Sequence, residues 1–499
     1  MLEIPALLAV SLLASVPIIK KIQKEKRQKH QERLELSSYL LGIQKEIEEL
    51  TTEVYLQKTW LHENFIDEVT EIIQNDKAIL NYLDRELAPD IFEIYENKKH
   101  WLKYINYEFF EDELKIHENY FKNIESNPLT PMQRMAIITH EENNLILAGA
   151  GSGKTSVILA KVGYILKKGY ATEDEILVLA FNKQAQQELE ERIEKILHVN
   201  ITIKTFHAFG NSIVKKSSIK ESQNFEEMIT KATKIIEKEQ YISPYRYIFI
   251  DEFQDISKER NRFILSLKEQ NSANITVVGD DWQSINKFAG SNIDIIQNFE
   301  AHYGSTTTIK LDYTFRFNQA IAKASQNFIL KNPAQINKNI KTIKESKNQS
   351  FYLYWYTSNK EMDEYIEQII KLIKNKTTND SPKKSIKILS RYSFYEPKNL
   401  SHLQHTFEET FDISFNTIHG SKGLEADYII ITHLEEGKFG FPSEQKAQEL
   451  DEYPYAEERR LFYVAMTRAK EKIFFIAHSK KTSAFINELK KENNIYALN

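Results

Sequence analysis

The sequence predicts an α/β protein in which two parallel-sheet lobes follow an α-helical N-terminal region. From about residue 127 onward, short β-branched runs alternate with stretches of helical pattern, as in parallel sheets covered by helices. The runs form two series of similar size: 145–147, 176–179, 201–204, 247–250 and 275–278, then 351–356, 386–389, 413–416, 428–432 and 472–477. Ligands of such sheets bind at the carboxyl ends of the strands. We therefore look for a site in the loops that follow these runs.

The first 33 residues differ in composition from the rest of the chain. Residues 4–19 are sixteen uncharged residues, and residues 20–33 follow with seven Lys or Arg against two Glu. A spanning helix needs roughly 20 apolar residues, and a basic flank stays on the cytoplasmic side. We predict a membrane anchor with a basic segment over residues 1–33, which would hold the protein at the cytoplasmic face of the cell membrane. A helix in the membrane interface, or one packed against protein, is the alternative.

Residues 34–126 carry the pattern of an amphipathic helical region. Apolar residues recur three or four positions apart at Leu36, Leu40, Ile43, Ile47, Leu50 and Val54. We predict a helical bundle or hairpin here, with a dimerising coiled coil as the alternative. The first lobe is predicted over residues 127–305, the second over 306–485, and a C-terminal tail over 486–499.

Composition excludes several kinds of site. The 499 residues include no cysteine, which excludes disulfides, thiolate metal sites and iron–sulfur clusters. We also predict no structural metal, because the histidines are scattered singly. The net charge is only −5, so a nucleic-acid surface would have to be local.

A phosphate-binding loop follows the first apolar run. Residues 148–155 read AGAGSGKT, with alanine where the generic pattern has its first glycine. A strand that feeds a glycine-rich loop and then a helix points backbone N–H groups at phosphate oxygens. The lysine reaches the terminal phosphates and the threonine hydroxyl binds Mg²⁺. The residues predicted to bind ATP are Ala148, Gly149, Ala150, Gly151, Ser152, Gly153, Lys154 and Thr155.

A pair of acidic residues complements this loop. The run 247–250 ends in Asp251 and Glu252, within the sequence DEFQD. Asp251 is predicted to support Mg²⁺ together with Thr155, as carboxylates do beside phosphate loops. Glu252 is predicted to orient or deprotonate the attacking water. The two patterns together predict hydrolysis of a nucleoside triphosphate.

Further loops resemble, in order, the motifs of superfamily 1 helicases of the UvrD/Rep type. They are AFNKQAQQEL (180–189), TFHAF (205–209), VVGDDWQSI (277–285), LDYTFRFN (311–318), TIHGSKGLEAD (417–427) and EERRLFYVAMTRAK (457–470). The resemblance covers roughly residues 120–480. It implies two RecA-like lobes, ATP with Mg²⁺ as cofactors, and 3′→5′ movement on single-stranded or tailed duplex DNA.

The resemblance also implies roles for residues of the ATP site. Gln133 would read the adenine edge, and Phe315 would stack on the base, because Ser156 replaces an arginine that often does so. Gln283 would sense the γ-phosphate. Arg316 and Arg468 would be arginine fingers that reach the phosphates when the lobes close. The residues implied to contact ATP thus also include Ser156 and, in the second lobe, Glu425.

The implied path for DNA depends on aromatic stacking and polar contacts. Its candidate residues are Phe181, Asn182, Thr205, Phe206, His207, Phe288 and His419. Trp282 is either another platform or packing between the lobes. The connections 210–250 and 391–417 are too short for the accessory domains 1B and 2B of UvrD relatives, so 1B is expected to be vestigial and 2B absent.

Two further functions are alternatives to a translocase. The first is a nucleic-acid-gated ATPase switch that works with partner proteins, for example in defence against foreign DNA. Loss of the accessory domains and the predicted anchor favour it. The second is an ATP-dependent membrane scaffold without a nucleic-acid role, against which the intact GDDWQ motif and the Phe-rich loops argue.

Overall fold

The computed structural model describes residues 106–107, 109–217, 224–346, 349–377, 382–444, 453–492 and 495–498. The predicted anchor and most of the predicted helical region 34–126 lie outside these residues. The chain divides into two compact units, Met1–Asn144 with Ser305–Thr307 and Leu145–Gly304 with Thr308–Asn499. Within the described residues, every helix is too short or too polar to cross a membrane.

The described part of the first unit contains helices α1 (Glu118–Asn123) and α2 (Pro131–Ile138). Helix α2 begins at Pro131 because Thr130 and Gln133 close a capping box: each backbone N–H donates to the other's side-chain oxygen, at 2.8 and 3.3 Å. The Arg134 guanidinium lies 5.9 Å from the centre of the buried Phe121 ring. Gln133, the predicted adenine reader, therefore has its side-chain oxygen engaged at this cap.

A six-stranded parallel sheet forms the first lobe, in the order β3-β2-β4-β5-β1-β6. Its strands are β1 (Asn143–Ala148), β2 (Ile176–Ala180), β3 (Thr202–Thr205), β4 (Tyr247–Ile250), β5 (Asn274–Gly279) and β6 (Thr307–Leu311). Its helices are α3 (Lys154–Lys168), α4 (Lys183–Leu197), α5 (Phe206–Lys216), α6 (Phe225–Glu237), α7 (Lys258–Asn271), α8 (Asp294–Gln297) and α9 (Phe299–Tyr303). Strands β2 and β4 and residues 145–148 of β1 are buried throughout, which is why they read as continuous apolar runs.

The second lobe is built on a second six-stranded parallel sheet, in the order β11-β10-β12-β13-β9-β14. The pair β7 (Tyr313–Thr314) and β8 (Lys341–Thr342) precedes it; its strands are β9 (Phe351–Tyr356), β10 (Lys384–Ser390), β11 (Phe411–Thr417), β12 (Ala426–Leu434), β13 (Ala469–His478) and β14 (Tyr496–Leu498). Its helices are α10 (Gln319–Ile329), α11 (Asn359–Lys374), α12 (Leu400–Thr406), α13 (Ala456–Met466) and α14 (Ala484–Glu492).

This second sheet has an apolar core on each face. Phe351 and Leu353 of β9 face one core, whereas Tyr352 and Tyr354 face the other, as the two-residue period of a strand requires. The predicted fold class, two parallel-sheet lobes after a helical N-terminal region, is confirmed for the lobes, and all ten predicted strands are present.

The structure adds strands that the sequence did not indicate. Strand β6 lies at the edge of the first sheet, where exposed positions interrupt the apolar pattern. It falls just beyond the predicted lobe boundary at residues 305/306. Most of helix α14 and all of strand β14 lie in the predicted tail, 486–499, and β14 pairs with β9 in the second sheet.

Candidate ATP and nucleic-acid sites

The phosphate loop connects β1 to α3 with the backbone that its glycines allow. Gly151 and Gly153 have φ angles of 73° and 84°, in the left-handed region that favours glycine. A Cβ at Gly151 would lie 2.5 Å from the Cβ of Arg316. Ala148, the departure from the generic pattern, is the fully buried last residue of β1, so its methyl group points into the protein rather than into the loop's turn. The loop therefore fits a phosphate chain.

Lys154 and Glu252 meet at the start of α3. The Lys154 Nζ lies 3.1 Å from the Glu252 Oε2. Burial opposes the charge on Lys154, but the Glu252, Asp280 and Asp251 carboxylates outweigh it and raise the pKa of Lys154. Burial likewise opposes ionisation of Glu252, yet Lys154 and Lys422 lower its pKa to about 2. Glu252 is thus a charged carboxylate that can accept a hydrogen bond from the attacking water and orient it.

Asp251 lies at the carboxyl end of β4 and is 5% exposed. One of its carboxylate oxygens accepts a hydrogen bond from the Glu252 N–H at 2.8 Å. Burial, followed by the charge of Glu252, raises the pKa of Asp251 to about 7. A divalent cation would stabilise this carboxylate in its charged form, and oxygen ligands suit Mg²⁺. Asp251 and Thr155 are the residues that would hold that ion, which supplies positive charge at the phosphates.

Second-lobe residues meet the phosphate loop and the GDDWQ loop (279–283). Phe315 donates its N–H to the Gly151 carbonyl oxygen at 2.9 Å, and Arg316 lies against the same glycine. Arg468 is 1% exposed and donates to the Gln283 Oε1 at 3.0 Å. Burial and the nearby Arg316 lower the pKa of Arg468 to about 9, so it remains charged at neutral pH. The structure thus brings both predicted arginines and Gln283 to one region.

Glu425 and Ser156 have protein partners in the structure. Glu425 pairs with Arg316 at 2.9 Å and with Lys470 at 2.7 Å. Arg192 of α4 donates to the Ser156 hydroxyl at 3.2 Å. An arginine therefore does reach position 156, from a different helix.

Gln254 joins the acidic pair to the GDDWQ loop, and sequence reasoning did not identify it. Its side-chain nitrogen donates to Glu252 at 2.5 Å, and its side-chain oxygen accepts from the Asp280 N–H at 2.8 Å. The Asp280 carboxylate accepts from Gln283 at 2.6 Å, and Gln283 accepts from Arg468. These bonds form a continuous series from Glu252 to Arg468. Its place two residues after Glu252, within the DEFQD sequence, was the only sequence signal.

Lys338 is a second residue that the sequence did not reveal. Its buried ammonium lies 2.5 Å from Asp280 and 2.6 Å from Asp281, and 4.3 Å from the centre of the Trp282 ring. Trp282 is fully buried, donates to the Ile336 carbonyl and packs edge-on against Tyr463. This favours the packing role of Trp282 over a DNA platform.

The predicted DNA residues of the first lobe have different environments. Phe206 is 1% exposed and belongs to the core, so a role as a stacking platform is not supported. Phe181 is partly buried and His207 is exposed. Asn182 and Thr205 cap helices α4 and α5, accepting from the backbone at 2.8 and 3.1 Å. Both side chains are therefore engaged in local structure.

Phe288 and His419 present an open aromatic surface. Phe288 is 68% exposed, and its ring lies edge-on to His419 with centroids 5.6 Å apart. His419 follows β11 at the carboxyl edge of the second sheet, whereas Phe288 belongs to the first-lobe part of the chain. An aromatic pair of this kind can stack on nucleic-acid bases.

Comparison with known proteins shows the family of this chain. The model of the UvrD/REP helicase N-terminal domain matches residues 129–223 and 214–304, and that of the UvrD-like helicase C-terminal domain matches residues 393–480. Together these matches cover a little more than half of the chain.

Individual relatives agree with this result. The chain is 29% identical over 499 residues to DNA helicase IV of Escherichia coli strain K12, covering 74% of this chain and 71% of that protein. It is 24% identical over 313 residues to ATP-dependent DNA helicase PcrA of Bacillus subtilis strain 168, covering 45% and 42%. PcrA of Staphylococcus aureus strain Mu50 is 23% identical over 338 residues, covering 50% and 46%. The chain belongs to the UvrD/Rep type of superfamily 1 DNA helicases.

Proposed function

We propose that this protein is an ATP-dependent translocase or helicase that moves 3′→5′ on single-stranded DNA. The observation that carries the proposal is the hydrogen bond between Arg468 and Gln283 at 3.0 Å. It joins the second lobe to the loop that contacts the catalytic glutamate through Gln254. DNA that changed the position of the lobes would therefore change hydrolysis.

We expect ATP hydrolysis to be slow in the protein alone and to rise at least ~10-fold with single-stranded DNA, because lobe closure delivers the two arginines. Steady-state ATPase assays with single-stranded and duplex oligonucleotides measure this directly. Strand displacement from 3′-tailed and 5′-tailed duplexes then tests unwinding and its direction. Equal rates with duplex, with single strands and without DNA would contradict the translocase.

A nucleic-acid-gated ATPase switch is the second candidate, and the short connections in the fold favour it. Between the TFHAF motif and β4, the described residues form only α5 and α6. Between Arg391 and Thr417, they form a single 3-10 turn, helix α12 and strand β11. Stimulated ATPase without strand displacement on either tailed duplex would favour the switch, whereas displacement would favour the helicase.

Membrane tethering through residues 1–33 remains a proposal from sequence. The uncharged run and the basic cluster after it support an anchor. We expect full-length protein to resist high-salt extraction and to be released by detergent, while a variant lacking residues 1–33 stays in the supernatant. Release by salt alone would indicate only electrostatic attraction, at ~1 kcal/mol per Lys or Arg. Full-length protein in the supernatant without detergent or salt would contradict tethering.

A further inference from the structure

Three aromatic side chains of the first lobe surround one arginine. Arg260 of α7 has its guanidinium carbon 4.6 Å from the centre of the Phe225 ring, 5.1 Å from Phe181 and 5.9 Å from Phe206. At these distances the cation is attracted to each ring face. Phe181 and Phe206 are residues that the sequence placed on the DNA path, whereas Phe225 was not among those candidates. Arg260 therefore connects Phe225 to that predicted path.

The Arg260 side chain is held in place rather than offered to solvent. It is 15% exposed, and its Nη2 lies 3.2 Å from the Glu226 carboxylate. The Ser257 hydroxyl, at the start of the same helix as Arg260, donates to that carboxylate at 3.2 Å. A guanidinium fixed in this way can support the aromatic rings around it. It is poorly placed to bind the phosphates of a nucleic acid that moves past it.

His207 is the exposed member of the group. Its ring stacks on Phe225 with centroids 5.2 Å apart and an interplanar angle of 14°. Phe225 is the first residue of α6, which Asn224 caps by accepting from the Glu227 N–H at 3.2 Å. The stack thus fixes the plane of an exposed ring whose side chain would otherwise rotate.

We propose that Phe225 and Arg260 are positioning residues that hold His207 as a base-stacking platform for single-stranded nucleic acid. The proposal rests on the proposed function, because it supplies part of the DNA path. Stacking on a ring face tolerates every base, which suits a protein that moves along a strand irrespective of sequence. Because Phe225 already holds the His207 ring in one plane, that ring loses less conformational entropy on binding nucleic acid than a freely rotating ring would.

The test measures how oligo(dT) of about 20 nucleotides stimulates the ATPase of the full-length protein. The quantity compared between variants is the oligo(dT) concentration that gives half-maximal stimulation. Phe225→Leu keeps the apolar packing but removes the ring, so we expect this concentration to rise about tenfold, the effect of weakening one stacked base. The maximal rate should stay unchanged, and Phe225→Tyr should restore the wild-type value. An unchanged half-activating concentration in Phe225→Leu would overturn the proposal.

Arg260→Gln separates positioning from direct contact with DNA. We expect a similar rise in the half-activating concentration, with an unchanged slope against the logarithm of salt concentration. A lost phosphate contact would instead reduce that slope by about 0.7, and such a reduction would overturn the positioning role. Arg262→Gln is the matched control: Arg262 lies on the same helix, is 52% exposed and pairs with Glu237 and Glu269, so it should behave as wild type.

The wild-type protein distinguishes this inference from the proposed function. Wild-type protein that single strands do not stimulate would overturn both. Wild-type stimulation together with wild-type behaviour of Phe225→Leu would overturn the positioning role alone.

Discussion

Replacing Glu252 by glutamine should abolish ATP hydrolysis while ATP binding persists. The charged carboxylate can accept a hydrogen bond from the attacking water and orient it, while Lys154 and Lys422, which lower its pKa to about 2, make it a weak base. The neutral glutamine amide has the same shape but orients the water more weakly and cannot take up its proton. We expect turnover to fall at least about a hundredfold, the usual scale of general-base catalysis. Steady-state ATPase and equilibrium binding of a fluorescent ATP analogue measure the two properties separately.

The same substitution also releases Lys154 from its ion pair with Glu252 at 3.1 Å. We therefore expect ATP affinity to be equal to or higher than that of wild type. Glu259→Gln is the matched control, because Glu259 is an exposed glutamate at the start of α7. Wild-type turnover in Glu252→Gln, or an equal loss in Glu259→Gln, would contradict the catalytic assignment.

Replacing Arg468 by alanine should remove the stimulation of ATPase by single-stranded DNA. The guanidinium donates to Gln283 and to the Val464 and Leu424 carbonyl oxygens, so alanine removes its charge and several hydrogen bonds. Arginine fingers contribute about 10³–10⁵ to turnover in related phosphoryl transfers. We expect a loss of at least about a hundredfold in the stimulated rate, with ATP affinity within several-fold of wild type.

Stability controls are essential for Arg468, since its removal takes hydrogen bonds away from the Val464 and Leu424 carbonyl oxygens. Arg468→Lys keeps the charge but not the planar fork, and should also lose stimulation. Arg459 of α13 is the matched control, because it is another buried arginine and is paired with Glu488. Arg459→Lys should lower the melting temperature without lowering the stimulated rate of folded protein. Full stimulation in Arg468→Ala would contradict its role.

The ATP site was predictable where its chemistry lies in short segments of sequence. The phosphate loop and the acidic pair each follow a buried strand, and the shared carboxyl edge of the sheet brings them together. Gln254 and Lys338 were not predictable, because their partner Asp280 lies 26 and 58 residues away from them, and these contacts depend on how loops meet.

Aromatic residues show a second limit of sequence reasoning. The neighbouring residues Phe206 and His207 were equal candidates for the DNA path. Phe206 is buried in the core, whereas the His207 side chain is exposed. Adjacent positions at the start of a helix point in different directions, and only the packing of α6 and α7 decides which is covered. The edge strand β6 was missed for a related reason, since its exposed residues obscure the apolar pattern.

A series of hydrogen bonds runs from Glu252 through Gln254, Asp280 and Gln283 to Arg468. This series has a consequence for the hydrolysis of ATP in the absence of DNA. Each bond is 2.5–3.0 Å long, and a donor and an acceptor about 3.6 Å apart no longer form a hydrogen bond. A displacement of Arg468 by ~1 Å would therefore break the last bond. Glu252 would keep its contacts with Gln254 and Lys154 but would no longer be joined to the second lobe, so we expect little ATP hydrolysis in protein that has not bound DNA.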